Sequence, residues 1–390
     1  MKCKCLRLEK PDLTQILYGS AFLGGGGGGS IKAGNLFIDY ITGLTDNVEL
    51  LKPPFSKATK NLVACIACDI GSITQLDPFQ TKALLYAFES LSHAFKDTLG
   101  PIQAVFPIET GPENMLAPFV IAATLKIPVV DGDGAGRAVP TLPLTTFAEK
   151  VIPNPVPVAV ANGVKDVLLV STEKFESLLR SIAHIDVFSD SASLALWPDK
   201  LINLYNKSVS NTVTRALYLG RLLEGIQEKN PTLIRQSLKE VDVLKGRLLI
   251  KGKVIFKDDA EKGGFNFTTT KIQSDDSDEI VTILSQNENL IAYSSKSFGP
   301  LVIAPDAICY LTTDFIPKTN AEIDTKEDGD HKDFQHMMVF CVVADAKLQN
   351  KKIQDGFHTI LQELGYSGDM DLKQKGLRPL GSLLVKLSKP

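Results

Sequence analysis

Hydrophobic positions along the chain fall into three kinds of pattern. Between Pro11 and Leu23, the residues Leu13, Ile16, Leu17 and Phe22 gather on one side of a helical wheel, and Ile31, Phe37, Ile38 and Ile41 do the same before Gly43. Both stretches predict short amphipathic helices, the second capped by Ser30. Residues 62–68, 102–108 and 127–130 are brief unbroken apolar runs of the kind carried by buried strands. Asp77-Pro78 opens a helical repeat of Ala83, Leu84, Ala87, Phe88, Leu91 and Phe95 that Gly100-Pro101 ends. Gly111-Pro112 starts a further helix running to Leu125. Strand, helix, strand with connections this short predicts an α/β domain with a mostly parallel sheet. Right-handed crossovers then put the three strand C-termini on one edge. Asp69, Glu109 and Asp131/Asp133 collect along that edge, where open sheets bind ligands.

Past about residue 165 the pattern changes. Residues 172–183 and 199–240 read as helices, broken at Asn230-Pro231. From Gly246 the period becomes two: Leu248, Ile250, Val254 and Phe256 alternate with Arg247, Lys251, Lys253 and Lys257. Short strands follow at 265–272, 279–284, 290–294, 301–303 and 308–312, predicting a β-rich, barrel or sandwich-like domain. Residues 318–333 read as a polar, exposed loop, and a strand near 338–343 and a helix near 353–364 close the chain. The expected division is an α/β domain over 1–167 and a C-terminal domain over 168–390, the latter with a helical part (172–240) and a β-rich part (246–390).

Composition narrows the function classes. With 44% hydrophobic and 22% charged residues, the 390-residue chain is of globular type. Its 42 basic and 45 acidic residues leave a net charge of −3, with no basic excess to hold a phosphate backbone, so no nucleic-acid partner is expected. No apolar run approaches the ~20 residues that span a bilayer, so no membrane partner is expected either. The N-terminus alternates charge with leucine and lacks a signal peptide's apolar core, which predicts a cytoplasmic protein. Cys65 and Cys68 have redox or zinc spacing, but three residues apart on a strand they face opposite ways. Buried structural thiols are the expectation.

The most unusual feature is the run Gly24–Gly29. A flexible spacer is one reading, yet it would join two short helices that each need partners. The other reading is a ligand-binding turn in which the N–H groups of Gly25, Gly26, Gly27, Gly28, Gly29 and Ser30 approach an anion at a helix start. It matches neither a P-loop nor a dinucleotide fingerprint. In Asp131-Gly-Asp133-Gly-Ala-Gly136-Arg137 a carboxylate could serve as general base or bind a metal, and Arg137 could hold a substrate carboxylate. The plain alternative is an Asp–Arg pair bracing a loop. Glu109 and Asn114 bracket a strand end and a helix start, suiting either a site or simple capping. His331 and His336 lie among acidic residues, where a solvated loop is favoured over a metal site.

Taken in order, these motifs resemble one family. Gly19-Ser-Ala-Phe-Leu followed by Gly24–Gly29 is similar to the opening motif of the S-methyl thiohydantoin desulfurase-like proteins. Pro107-Ile-Glu109 with Asn114 and Leu116-Ala-Pro118 resembles their P-x-E-I-G-G-x-N-x-L-A-P. The stretch from Asp131 through Asp133, Gly136 and Arg137 to Pro140 resembles their D-x-D-G-x-G-R-A-x-P. Gln286, Asn287, Glu288 and Asn289 resemble a distal Q-N-E-N. The resemblance implies an α/β domain followed by a β-rich one, and hydrolytic removal of sulfur from a thiohydantoin-type ring. In the enzyme reading the Glu109 and Asp131/Asp133 edge polarises water and Arg137 holds an anionic tail of a small-molecule substrate, and a homo-oligomer is expected. Thr141 and Pro143 stand where the family often has Glu and Gln, which leaves a non-catalytic binding protein, or an accessory subunit of a hydantoinase-type enzyme, as the alternative. A divalent metal on the same carboxylates or on Gln286–Asn289 is a third mechanism. The sequence itself requires no cofactor.

Overall fold

A computed structural model describes residues 4–71, 80–150, 156–172, 191–323 and 335–389. The first sheet has eight strands in the order Lys4–Leu8, Val48–Lys52, Val129–Val130, Ile102–Pro107, Val63–Gly71, Ser191–Lys200, Val156–Ala161, Val167–Thr172. The three apolar runs form its parallel centre, as the spacing predicts: Val63–Gly71 beside Ile102–Pro107, then Val129–Val130. Val48–Lys52 is parallel to them as well. The remaining joints are antiparallel, so the sheet is mixed rather than mostly parallel. The cause is chain order. Helices return the chain between the central strands, whereas the hairpin formed by Val156–Ala161 and Val167–Thr172 has too short a turn for a parallel crossover. The hydrophobic pattern does not predict the strand Ser191–Lys200, which is rich in Ala and Ser.

Two cores flank this sheet. On one side Cys65, Ala67 and Val105 pack with Leu13, Ile16, Phe37, Leu84 and Phe119 from four helices: Lys10–Leu23, Ile31–Leu44, Gln80–Leu99 and Ala117–Leu125. On the other, Ile66, Cys68 and Phe106 meet Phe147, Trp197 and Leu204. Cys65 and Cys68 thus lie on opposite faces, both fully buried. Burial pushes both thiols far above their ordinary range. That burial disfavours the thiolate that redox or zinc chemistry needs.

Helices Leu201–Lys207, Thr212–Gln227 and Pro231–Val241 follow. Asn230 caps the last, its side chain accepting from Thr232 and Leu233 N–H. The helix expected over 172–183 and the opening at Asp77-Pro78 lie outside the described residues, apart from Thr172, which ends a strand. So do residues 324–334, including His331; His336 stands 3.3 Å from Asp275.

The second sheet is antiparallel throughout. Its strands run Pro300–Ile303, Glu288–Ser294, Ile280–Gln286, Phe265–Ser274, Lys245–Lys262, His336–Val342, Ala307–Thr312, Pro317–Lys318, and Arg378–Pro379 adds onto Lys245–Lys262. The two end strands do not pair with each other, so of the barrel or sandwich-like forms expected, the sheet does not close into a barrel. Helix Lys351–Glu363 packs Phe357 and Leu361 against Leu290 and Ile291.

Helices Lys10–Leu23 and Thr212–Gln227 cross at backbone contact. A Cβ at Gly19 would lie 1.8 Å from the Ala216 carbonyl oxygen, and one at Gly220 would lie 1.9 Å from that of Gln15. The helices approach this closely because neither residue has a side chain. Beyond the crossing, Phe22 and Leu219 continue into a core shared with Cys309 and Phe340 of the second sheet. Gly220→Ala must push the helices apart and is expected to cost about 1–3 kcal/mol, the usual penalty of overpacking. A urea-denaturation midpoint equal to wild type would contradict this packing.

Candidate functional site

The site grows from the glycine run. Helix Lys10–Leu23 ends, and Gly25, Gly26, Gly28 and Gly29 take φ of 61°, 94°, 76° and 94°, a region that only glycine enters freely. The space around the run is as restrictive as its torsions. A Cβ at Gly26 would fall 2.6 Å from Asn289 Nδ2, at Gly27 2.2 Å from Glu288 Oε1, at Gly28 2.5 Å from Gly111 Cα and at Gly29 2.2 Å from Glu113 Cβ. The loop is therefore not a spacer. It is the floor on which two other segments rest.

One of those segments is the distal motif. Gln286 ends one strand, Asn287 turns the chain with φ 59°, and Glu288 and Asn289 begin the next. Asn289 N–H donates to the Gly25 carbonyl at 2.8 Å, and Asn320 N–H donates to that of Gly26 at 2.8 Å. The Asn289 side chain is fixed by Ser285 Oγ (2.7 Å), Tyr310 OH (3.2 Å) and the Ile308 carbonyl (2.8 Å). Asn287 faces away and pins Asn266, whose N–H donates to Asn287 Oδ1 at 2.9 Å. Gln286 is buried, and its Oε1 has no partner among the described residues.

The sequence reading gives the loop's N–H groups to a ligand. In this structure carboxylates of the protein itself take several of them. Gly28 N–H bonds Glu288 and Ser30 N–H bonds Glu113. Ile31 N–H donates to Glu322 Oε1 at 2.8 Å. The Ser30 hydroxyl caps its own helix through Ala33 N–H at 3.0 Å. The pattern around residue 319 does carry a signal for Glu322: Thr319-x-x-Glu322 is a capping box, and its Glu reaches on to the second helix.

At the strand edge, Asn114 is the connector. Its Oδ1 accepts from Asp69 N–H at 2.9 Å and its Nδ2 donates to Glu109 Oε1 at 2.8 Å. Glu109 Oε2 accepts from Val139 N–H at 2.7 Å. Asp69 also accepts from Ser193 Oγ, on the strand that the pattern does not predict. Burial raises the Glu109 carboxyl to about 7, against the pull of those two hydrogen bonds. Burial, and after it the nearby Glu109 charge, push the Glu288 carboxyl well above its ordinary value, which favours its neutral form. Glu288 Oε2 is buried with no partner among the described residues.

The other two aspartates serve the backbone. Asp133 Oδ1 accepts from Ala135 and Gly136 N–H at 2.8 and 2.6 Å, and its Oδ2 accepts from Thr110 Oγ1 at 2.5 Å. Burial raises it to about 6. Asp131 points to helix Thr212–Gln227, where it accepts from Thr214 N–H (3.0 Å) and Thr214 Oγ1 (2.5 Å) as an acidic cap. Lys52 Nζ stands 3.7 Å from it.

Arg137 is 2% exposed, and its guanidinium donates to the carbonyls of Ala138, Pro305, Asp306 and Asn289 at 2.7–3.1 Å. It clasps the second sheet to the first domain. Glu109, Asn114, Glu288 and the glycine run thus come together. Asp131 and Arg137 are turned to structural bonds. Among the described residues, no group of three His, Cys, Asp or Glu side chains is arranged to hold a metal, and no helix is long and apolar enough to cross a membrane.

Comparison with known proteins agrees with this two-part organisation. Residues 11–172 match the model of the S-Me-THD-like N-terminal domain and residues 170–351 that of the S-Me-THD-like C-terminal domain. A crystal structure of a protein from Chromobacterium violaceum, a structural-genomics target, superposes with a TM-score of 0.77 at 25% identity, covering 93% of this chain and 98% of that one. No curated protein matches.

The raised carboxyls set a pH dependence. Glu109 and Glu113 (each about 7) and Asp133 (about 6) hold protons in the folded state that the unfolded chain has lost by about pH 5. Their contribution to stability is complete at low pH and is lost as pH rises through 6 and 7. Melting temperature should fall between pH 5 and pH 8, and the fall should be shallower in Glu109→Gln. A rise over that interval would contradict these assignments.

Proposed function

Because the chain belongs to the S-Me-THD-like family across both domains, we propose that it hydrolyses a small hydantoin- or thiohydantoin-like heterocycle, with Glu109 as general base and Glu288 as general acid. The observation that carries this reading is the pair itself. Two buried carboxyls near the glycine run feel each other's charge, and burial raises one to about 7 and the other well above its ordinary value. Environments that push two carboxyls apart in this way suit an acid–base pair.

In the step envisaged, ionised Glu109 takes a proton from water as the water oxygen bonds to the ring carbon bearing sulfur. The C–S bond then breaks and Glu288 gives its proton to the departing sulfur. From an S-methyl ring the sulfur leaves as the thiol while the new hydroxyl passes its proton to the adjacent ring nitrogen. From a thione the hydroxyl proton joins the sulfur, which leaves as hydrogen sulfide. The ring carbonyl forms in both cases. Glu109 releases its proton to solvent and Glu288 takes one back. Asn114 holds Glu109 in place, and Asp133 shapes the turn behind it. Asp131 and Arg137 stand outside this step, Asp131 held by Thr214 and Arg137 by backbone carbonyls.

A second reading, binding without turnover, is favoured by the carboxylates that already occupy the loop's N–H groups. A panel of S-methyl-thiohydantoins, thiohydantoins and hydantoins, with thiol release followed by Ellman's reagent and with and without chelator, separates the two. Turnover should fall about 100-fold or more in Glu109→Gln and in Glu288→Gln, the scale of general acid–base catalysis, with unchanged circular dichroism. For wild type, kcat/KM should rise with pH through about 7 as Glu109 ionises. Tight binding with no thiol release from any member would leave the binding reading. Full activity in both variants would remove the carboxyl pair.

A further inference from the structure

We propose a second binding site, for a short-chain organic carboxylate, in the joint between the two domains. It does not rest on the hydrolase reading. A cavity of about 280 Å³ opens beside Arg137, lined by residues of both domains. Small-molecule pockets commonly hold about 300–1,000 Å³, so this one suits a compact metabolite.

Charge comes first. Arg137, Arg215 and Lys245 line the cavity against one carboxylate, Asp345. Asp345 meets Arg215 only loosely, at 3.7 Å, with both side chains partly exposed, and it also accepts from Lys347 N–H at 3.0 Å. Arg137 is the more telling residue. It is buried, and its described hydrogen bonds all end on neutral carbonyl oxygens. The carboxyl whose field favours it most, Glu288, is not among its hydrogen-bond partners, and burial pushes that carboxyl up toward its neutral form. A buried cation without a charged partner in contact is costly to maintain. An anion in the adjoining cavity would offset that cost.

The remaining wall decides what kind of anion. Leu23, Ala307 and Val342 present hydrocarbon to the same space and belong to the apolar core shared by the two domains. Inorganic phosphate would leave that wall against water, whereas a short aliphatic tail would cover it. The combination of cations at one end and an apolar wall at the other describes a carboxylate with a small hydrocarbon body. The cavity also touches Gly136, whose N–H holds Asp133 at 2.6 Å. An occupant would therefore brace the turn that stands behind Glu109.

The test uses the full chain and binding readouts alone, so its outcome is separate from that of the activity assay. Calorimetry and thermal melting are run at constant ionic strength with sodium butyrate, butyramide and inorganic phosphate. Butyrate should bind saturably and raise the melting temperature. Butyramide, of the same shape without charge, should bind at least about tenfold more weakly. The Arg215→Ala/Lys245→Ala variant changes two partly exposed side chains outside the proposed catalytic pair, and it should weaken butyrate about tenfold or more. Asp345→Asn should tighten it. The proposal is overturned if butyrate does not saturate below about 50 mM, a level corresponding to negligible affinity. It is equally overturned if butyramide binds as well, if the double variant binds like wild type, or if phosphate binds more tightly than butyrate.

Discussion

The interior of this protein is organised around an absence of side chains. Backbone meets backbone at Gly28 and Gly111, and Glu288 and Asn289 press directly onto Gly27 and Gly26. Any Cβ in that layer would separate the helix pair that begins the chain from the corner that carries Glu288. The hydrogen bonds from Asn289 and Asn320 to the loop carbonyls require the same closeness. The run therefore contributes as a geometric tolerance more than as a set of N–H donors. A second bare contact, between Gly19 and Gly220 and the facing helices, extends the principle to the helix crossing.

Burial is the other half of the design. Glu109, Asp133 and Glu288 sit where water cannot solvate a charge, and all three are displaced upward for that reason. Arg137 suffers the reverse displacement from the same cause. A cluster of groups that are each reluctant to ionise can move protons at neutral pH with little driving force. It can do so only while the surrounding backbone bonds stay in place. The turn 133–137 holds that frame through Asp133, and Arg137 ties it to the second sheet.

Much of this was legible in the residues, and the limits were physical. Apolar runs at 62–68, 102–108 and 127–130 announce the parallel centre because strands buried on both faces must be apolar throughout. Strand Ser191–Lys200 is buried as well, but its small residues carry little hydrophobic signal, so the mixed character of the sheet stayed hidden. Asp131 and Arg137 show a second limit. A carboxylate beside a helix start and a guanidinium beside carbonyls look the same in sequence as a base and an anion clamp. Only the position of helix Thr212–Gln227 and of residues 305 and 306 shows which protein groups they bond. Glu109, Asn114 and Glu288 were each visible as motif residues. Their meeting across the chain was not, because nothing local encodes a contact between residues this far apart.

That separation bears on how the protein comes into being. The glycine run emerges from the ribosome early, and Glu288, Asn289 and Asn320, which close over it, are made far later. At about 5–20 residues per second, the interval is on the order of tens of seconds. The first two helices can meanwhile bury Leu13, Ile16 and Phe37 against strands of their own half. Phe22 and Leu23, at the end of the first helix, still lack Cys309 and Phe340, and Gly19 lacks helix Thr212–Gln227 for much of the time. The joint between the two domains is thus the part of the core that waits on the last third of the chain.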